Sequence, residues 1–411
     1  MQKTVTTSLT TVEVPVSGLE KGMYVSGLDI PWLKSPFMYQ GFEIESKDQI
    51  AELQELCNYV LVDVRKSTNK NTDRSVEAYA VPVEEELEAA NGIRDTTKAM
   101  VKRIFHEIEL GKELDGHAVQ ETVLDTVDSV LRNPNALMLL SQIKNKDEYT
   151  AEHSMNVSIL TAAFARHLKM PRKQIDELAF CGLLHDVGKI RVPDTVLNKE
   201  SKFTKTELAV MRKHTTHGRQ ILLASNGILM PALDVAFSHH ERLDGQGYPR
   251  GLPKEHIPQY AKIVALADAY DAMTSTRCYH AARSPFEALT TIYENRSSQF
   301  DTKLAELFIE FVGVYPAGSI VEMSNGEVGI VLSVHPTQKL KPRIIIVRDP
   351  EKQACSERVI DLRWDDSDFA GNKCGIKQAH ADGTFGISLQ EYLDKGLRIE
   401  LPTDSDAVAS A

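Results

Sequence analysis

The chain has 411 residues, with 47 Lys+Arg against 58 Asp+Glu and 42% hydrophobic residues, so it is long enough for more than one domain and apolar enough to bury cores. A formal net charge of −11 excludes a large basic face for duplex nucleic acid but leaves room for a small anionic ligand held locally. No apolar run approaches the roughly 20 residues of a membrane span, and the polar residues 1–11 lack the apolar core of a secretory signal, so the expected compartment is the cytoplasm.

Residues 1–66 mix short apolar alternations (Val12, Val14, Val16; Met23, Val25) with Gly, Pro and Ser, which predicts short strands and turns. Ser46 and Gln49 have capping-box spacing ahead of Ile50, Leu53 and Leu56, and residues 59–64 (YVLVDV) predict a buried strand. The front is therefore a small α/β module. Residues 67–140 are read as a polar linker followed by long amphipathic helices, the first over residues 84–113 with Ile93, Met100, Ile104 and Ile108 on one face. That pattern is not sustained over the ~3–4 heptads of a coiled coil, which favours a bundle helix over a dimer interface, with a homodimer left open.

Helical patterning continues through residues 119–131, 153–168, 173–185, 205–224, 257–274 and 285–295, so residues 141–314 predict an all-α bundle. After Gly313 the period changes. Asn325-Gly326 between apolar runs predicts a hairpin and RIIIVRD another strand, giving a small β-rich module over residues 315–402 and an acidic, disordered tail over 403–411. The expected fold is multidomain and mainly α, a helical core flanked by the two small modules.

Five cysteines without a C-x-x-C pair indicate neither a disulfide framework nor a zinc knuckle. Histidine is the uneven residue: nine of 13 fall between positions 153 and 280. Within that stretch His153, His185-Asp186, His214, His239-His240 and Asp268 are separated by 32, 28, 25 and 28 residues, each about one helix and its return. Successive helices of a bundle could then each aim a ligand at one interior point. Imidazole and carboxylate without thiolate suit iron, manganese or another divalent ion. Asp186 follows the apolar run AFCGLL, where an unpaired carboxylate is expensive and a cation would neutralise it. His167, His217 and His256 are read as solvated or hydrogen-bonded side chains. Residues 241–249, with two Gly, a Pro and an Asp, read as a loop that moves or touches a ligand.

HDVGK (185–189), HHERLDGQGYP (239–249) and DAYDAMTSTR (268–277) resemble the HD-GYP subfamily of the HD metal-dependent phosphohydrolases over residues 144–314. Residues 15–37 also look like the small domain of unknown function that precedes HD-GYP in one bacterial group. The resemblance implies an HD-type helical phosphodiesterase that lowers a second messenger by hydrolysing cyclic di-GMP to linear pGpG, and in some members to GMP. It places metal ligands on His153, His185, Asp186, His214, His239, His240 and Asp268. A reasonable division puts His153, His185, Asp186 and Asp268 on one ion and Asp186, His214, His239 and His240 on a second, with a bridging hydroxide for in-line attack on phosphorus. Asp186 and Lys189 would then be the catalytic residues, Lys189 stabilising phosphate charge or protonating the leaving 3′-oxygen.

The same resemblance assigns substrate contacts to Lys189, Arg277, Tyr279, His280, Gly247 and Tyr248, and links the GYP loop to docking with GGDEF-type cyclases. There are two departures. The family's Arg-Pro-Tyr-Arg/Lys stretch reads Arg277-Cys278-Tyr279-His280, which opens 3′,3′-cyclic GMP-AMP as an alternative substrate. Tyr149 stands where three-metal members carry a Glu, so two divalent ions are expected. From a different class, the alternative is a weakly active cyclic-dinucleotide-binding or cyclase-docking protein.

Overall fold

The computed structural model describes residues 11–16, 19–28, 41–57, 59–63, 81–143, 149–199, 201–275, 282–335, 338–363, 374–380 and 382–394. They fall into two compact units divided between Pro82 and Val83. The expected polar linker, the 403–411 tail and Arg277, Tyr279 and His280 lie outside the described residues.

The first unit contains β1 (Thr11–Pro15), β2 (Tyr24–Leu28), β3 (Phe42–Glu43), α1 (Lys47–Leu56) and β4 (Tyr59–Asp63), its antiparallel sheet ordered β1-β4-β2-β3. Alternation sends Val14, Val25, Val60 and Val62 inward, where they meet Ile44 and Leu53. The capping box forms as the sequence predicts: Gln49 N donates to Ser46 Oγ at 3.3 Å, and Ser46 N donates to Gln49 Oε1 at 3.2 Å.

The second unit is helical first: α2 (Val83–Glu109), α3 (Gly116–Arg132), α4 (Pro134–Leu140), α5 (Tyr149–His167), α6 (Arg172–Leu184), a 3-10 turn (Val187–Arg191), α7 (Asp194–Leu197), α8 (Lys205–Arg212), α9 (His214–Leu223), α10 (Met230–Ser238), α11 (Gln259–Thr274), α12 (Pro285–Glu294) and α13 (Thr302–Val312). Helix α5 is the axis, buried from Ala151 to Ala165 and packed on α2, α3, α6 and α11. Its Ser158 Oγ donates to Ala179 O of α6 at 2.8 Å. The single helix predicted over 205–224 is two, broken at Lys213. Side chains at the break bind the carbonyls it frees: His214 Nδ1–H donates to Met211 O at 2.7 Å and Thr215 Oγ1 to Arg212 O at 3.1 Å. The break re-aims His214 toward the interior.

A five-stranded antiparallel sheet follows, β5 (Ile320–Met323), β6 (Val328–Ser333), β7 (Arg343–Arg348), β8 (Ala354–Asp361) and β9 (Ile376–His380), ordered β8-β7-β6-β5-β9, and then α14 (Leu389–Asp394). The Asn325-Gly326 hairpin forms, with Gly326 N donating to Met323 O at 3.0 Å. Period-two alternation gives the sheet two buried faces. Val328, Ile330, Leu332, Ile345 and Val347 join the helical core, while Val331, Ile344 and Ile346 pack with Leu362 and Cys374 on the other side. Arg343 pairs with Glu84 of α2 at 2.7 Å. Among the described residues no helix is long and apolar enough to cross a membrane.

Candidate metal centre

Five elements of the second unit deliver seven side chains to one interior point. Helix α5 brings His153, the end of α6 brings His185 and Asp186, the first residue of α9 is His214, α10 ends at His239 and His240, and α11 brings Asp268. His153 Nε2 lies 3.2 Å from Asp268 Oδ1 and 3.5 Å from Asp186 Oδ2, which is itself 3.3 Å from His185 Nε2. The other oxygen, Asp186 Oδ1, faces His214 Nε2 at 3.3 Å and His239 Nε2 at 3.6 Å. Asp186 thus turns one oxygen toward each of two sets, His153/His185/Asp268 and Asp186/His214/His239/His240, whose donor atoms each lie within 4.8 Å of one another.

The imidazole rings are held from behind. His185 Nδ1–H donates to Gly182 O at 2.7 Å, His214 Nδ1–H to Met211 O at 2.7 Å and His239 Nδ1–H to Val235 O at 3.0 Å. A backbone carbonyl can only accept, so each neutral ring carries its proton on Nδ1 and presents a bare Nε2 lone pair to the centre. His214 Nε2 and His239 Nε2 therefore face each other, lone pair to lone pair, at 3.4 Å. His185 Nε2 and Asp186 Oδ1 are buried without a hydrogen-bond partner among the described residues. Each such orphan costs about 1–3 kcal/mol, and a cation converts all of them to ligands. The donor set fits a divalent metal.

Electrostatics keep the groups ligand-ready. Burial opposes charge on Asp186, but the Lys189 ammonium beside it holds its carboxyl well below the usual carboxylate range. Burial pushes the His214 imidazole down to about 4, keeping it neutral. Lys189, on the 3-10 turn, ion-pairs with Asp186 Oδ2.

Sequence reasoning missed several supporting residues. Asp271, one helical turn beyond Asp268, is buried and accepts from His153 Nδ1–H at 2.7 Å and from Asn156 Nδ2 at 3.1 Å. Its signal was the i, i+3 carboxylate pair in DAYD. Asp271→Asn is expected to weaken metal binding about 10–100-fold, the usual loss for a ligand-orienting carboxylate; titration against a chelating dye measures it, and unchanged affinity would contradict the role.

The loop after His240, read from the sequence as an element that moves or touches a ligand, is held by its own hydrogen bonds. Buried Glu241 accepts from Arg250 N at 2.8 Å and Leu252 N at 2.9 Å, while Asp244 accepts from Gln246 N and pairs with Arg242. Gly247 is required by space, because a Cβ there would lie 2.4 Å from Arg242 N. The Tyr248 ring lies against the His240 ring at 4.7 Å between centroids, tilted by 30°.

Family patterns match three stretches of the chain: a domain of unknown function over residues 11–119, an HD domain over 138–304 and a KOW domain associated with HD domains over 320–369. A Pseudomonas aeruginosa protein named as a cyclic di-GMP phosphodiesterase is 36% identical over 366 residues, spanning 85% of this chain and 88% of that protein. The chain belongs to the HD-GYP family of HD-domain phosphohydrolases. A cyclic di-GMP phosphodiesterase of Thermotoga maritima is 34% identical over 223 residues, 52% of this chain and 60% of that one. A 3′3′-cGAMP-specific phosphodiesterase of Vibrio cholerae is 32% identical over 173 residues, 42% of this chain and 33% of that one.

In HD-GYP terms, the His-Asp pair is His185-Asp186 and the GYP loop is Gly247-Tyr248-Pro249, and both border the same cluster. His167, His217 and His256 are not in either ligand set. Glu152, adjacent to His153 in sequence, turns to α2, where Lys98 Nζ donates to it at 2.9 Å and Arg94 lies at 3.8 Å.

Proposed function

We propose that this HD-GYP protein is a metal-dependent phosphodiesterase that opens cyclic di-GMP to linear pGpG, with GMP as a further product. The observation that carries this reading is the inward-facing set of bare imidazole nitrogens and carboxylate oxygens around Asp186, an arrangement that needs cations. Two divalent ions, iron or manganese, are proposed, one on His153, His185, Asp186 and Asp268 and one on Asp186, His214, His239 and His240. When bound, such ions supply Lewis-acid charge and lower the pKa of coordinated water.

The chain's own residues do the rest. Asp186 offers an oxygen to each side and so fixes the two sets relative to each other. Lys189 brings an ammonium beside Asp186, where it can balance charge growing on a phosphate oxygen or give a proton to the departing 3′-oxygen. Asp271 holds the ring of His153, and Gly247 and Tyr248 form a fixed wall for the substrate. Arg277, Tyr279 and His280 complete the proposed substrate contacts. Docking of GGDEF-type cyclases at the GYP loop, homodimer formation and a cytoplasmic location belong to the same reading.

A second substrate, 3′,3′-cyclic GMP-AMP, is favoured by Cys278 and His280, which replace the family's Pro and basic residue. Elemental analysis and parallel rates on the two dinucleotides test the reading. Two ions per chain and a higher kcat/KM on cyclic di-GMP are expected; three ions, or preference for the mixed dinucleotide, would overturn those parts of it.

A further inference from the structure

One cation beside the cluster is absent from the residues the sequence singled out. Arg212 closes α8 two residues before His214, and its guanidinium carbon lies 4.9 Å from the centroid of the Tyr248 ring. That ring in turn lies against His240. Arg212 is exposed and, among the described residues, has no carboxylate within the 4.0 Å of an ion pair. The break at Lys213 that aims His214 inward also leaves Arg212 on the Tyr248 side of the cluster.

We propose that Arg212 binds the second phosphate of a cyclic dinucleotide, the one not being cleaved, and so selects substrates with two phosphodiesters. The inference rests on the cyclic-dinucleotide reading of the site. The reacting phosphate is served by the ligand cluster and by Lys189, which is engaged with Asp186. The other phosphate carries a full charge into a chain of net charge −11, so a local cation must receive it. A guanidinium fork matches two phosphate oxygens, and the cation–π contact with Tyr248 restrains the side chain before substrate arrives, so less side-chain freedom is lost on binding. Pinning the loop is not its main task, since Glu241 and Asp244 already do that.

The test compares the Mn-loaded full chain with Arg212→Gln and Arg212→Lys on cyclic di-GMP and on bis(p-nitrophenyl) phosphate, a diester with a single phosphate. For Arg212→Gln, KM for cyclic di-GMP is expected to rise about 10–100-fold with kcat nearly retained, the size of one lost charge-assisted contact. The ratio of kcat/KM between the two substrates then falls by the same factor. Arg212→Lys should recover part of it. Equal losses on both substrates, or an unchanged KM, would overturn the inference while leaving the cyclic di-GMP reading intact. No turnover of cyclic di-GMP by the wild-type protein would overturn both.

Discussion

Replacing Asp186 with alanine is expected to lower kcat of the metal-replete protein about 1,000-fold or more and to strip it of bound metal. The size follows from position. Asp186 turns its two oxygens to both ligand sets, with His153 and His185 on one side and His214 and His239 on the other, all within 3.6 Å; Asp268 also spans them, but its second oxygen lies 4.0 Å from His240. Losing a single transition-state hydrogen bond costs about 10²–10³ in rate, whereas this change disconnects two sets at once. The variant is expected to fold, because it removes a carboxylate whose burial is itself unfavourable. Elemental analysis beside steady-state rates checks the result; wild-type metal content with wild-type turnover would contradict the bridging role.

The second large effect is expected from Gly188→Ala, in the middle of HDVGK. A Cβ there would lie 1.9 Å from His214 O and 2.3 Å from Gly218 N. Both are backbone atoms, so no rotamer change relieves the clash, and the turn carrying Asp186 and Lys189 must move away from α9. Overpacking of this kind costs about 1–3 kcal/mol or more. It also separates His214 from Asp186, whose Nε2–Oδ1 distance is 3.3 Å. Denaturant unfolding should show the destabilisation, and metal analysis a loss of bound ion. A variant with wild-type stability and metal content would refute the close-approach argument.

Gly188 also shows where the sequence stops being legible. The ligand types and their one-helix spacing were readable because each helix must return to the same interior point, and all seven residues do meet. Element types were readable where a local rule decides them, as in the Ser46 cap and the Asn325-Gly326 hairpin. Features created by contact between distant segments were not. The break at Lys213 depends on His214 and Thr215 binding the carbonyls it frees, which hydrophobic periodicity cannot register. Asp271 looked like one more helix carboxylate until α5 brought His153 against it, 118 positions away in sequence. The fixed GYP loop likewise depends on buried Glu241 gathering backbone donors nine and eleven residues further on. Loop composition alone indicated an element that moves or touches a ligand. Arg212 carried no signal at all, since its setting is made by a ring from another element.

The most direct test of the account is the initial rate of cyclic di-GMP hydrolysis by the full chain reconstituted with Mn(II) or Fe(II), beside the same protein stripped by a chelator. Turnover to pGpG is expected in at least one reconstituted form and none in the stripped protein. Folded, metal-replete protein that leaves cyclic di-GMP intact with both metals, or stripped protein that hydrolyses it at the same rate, would contradict it.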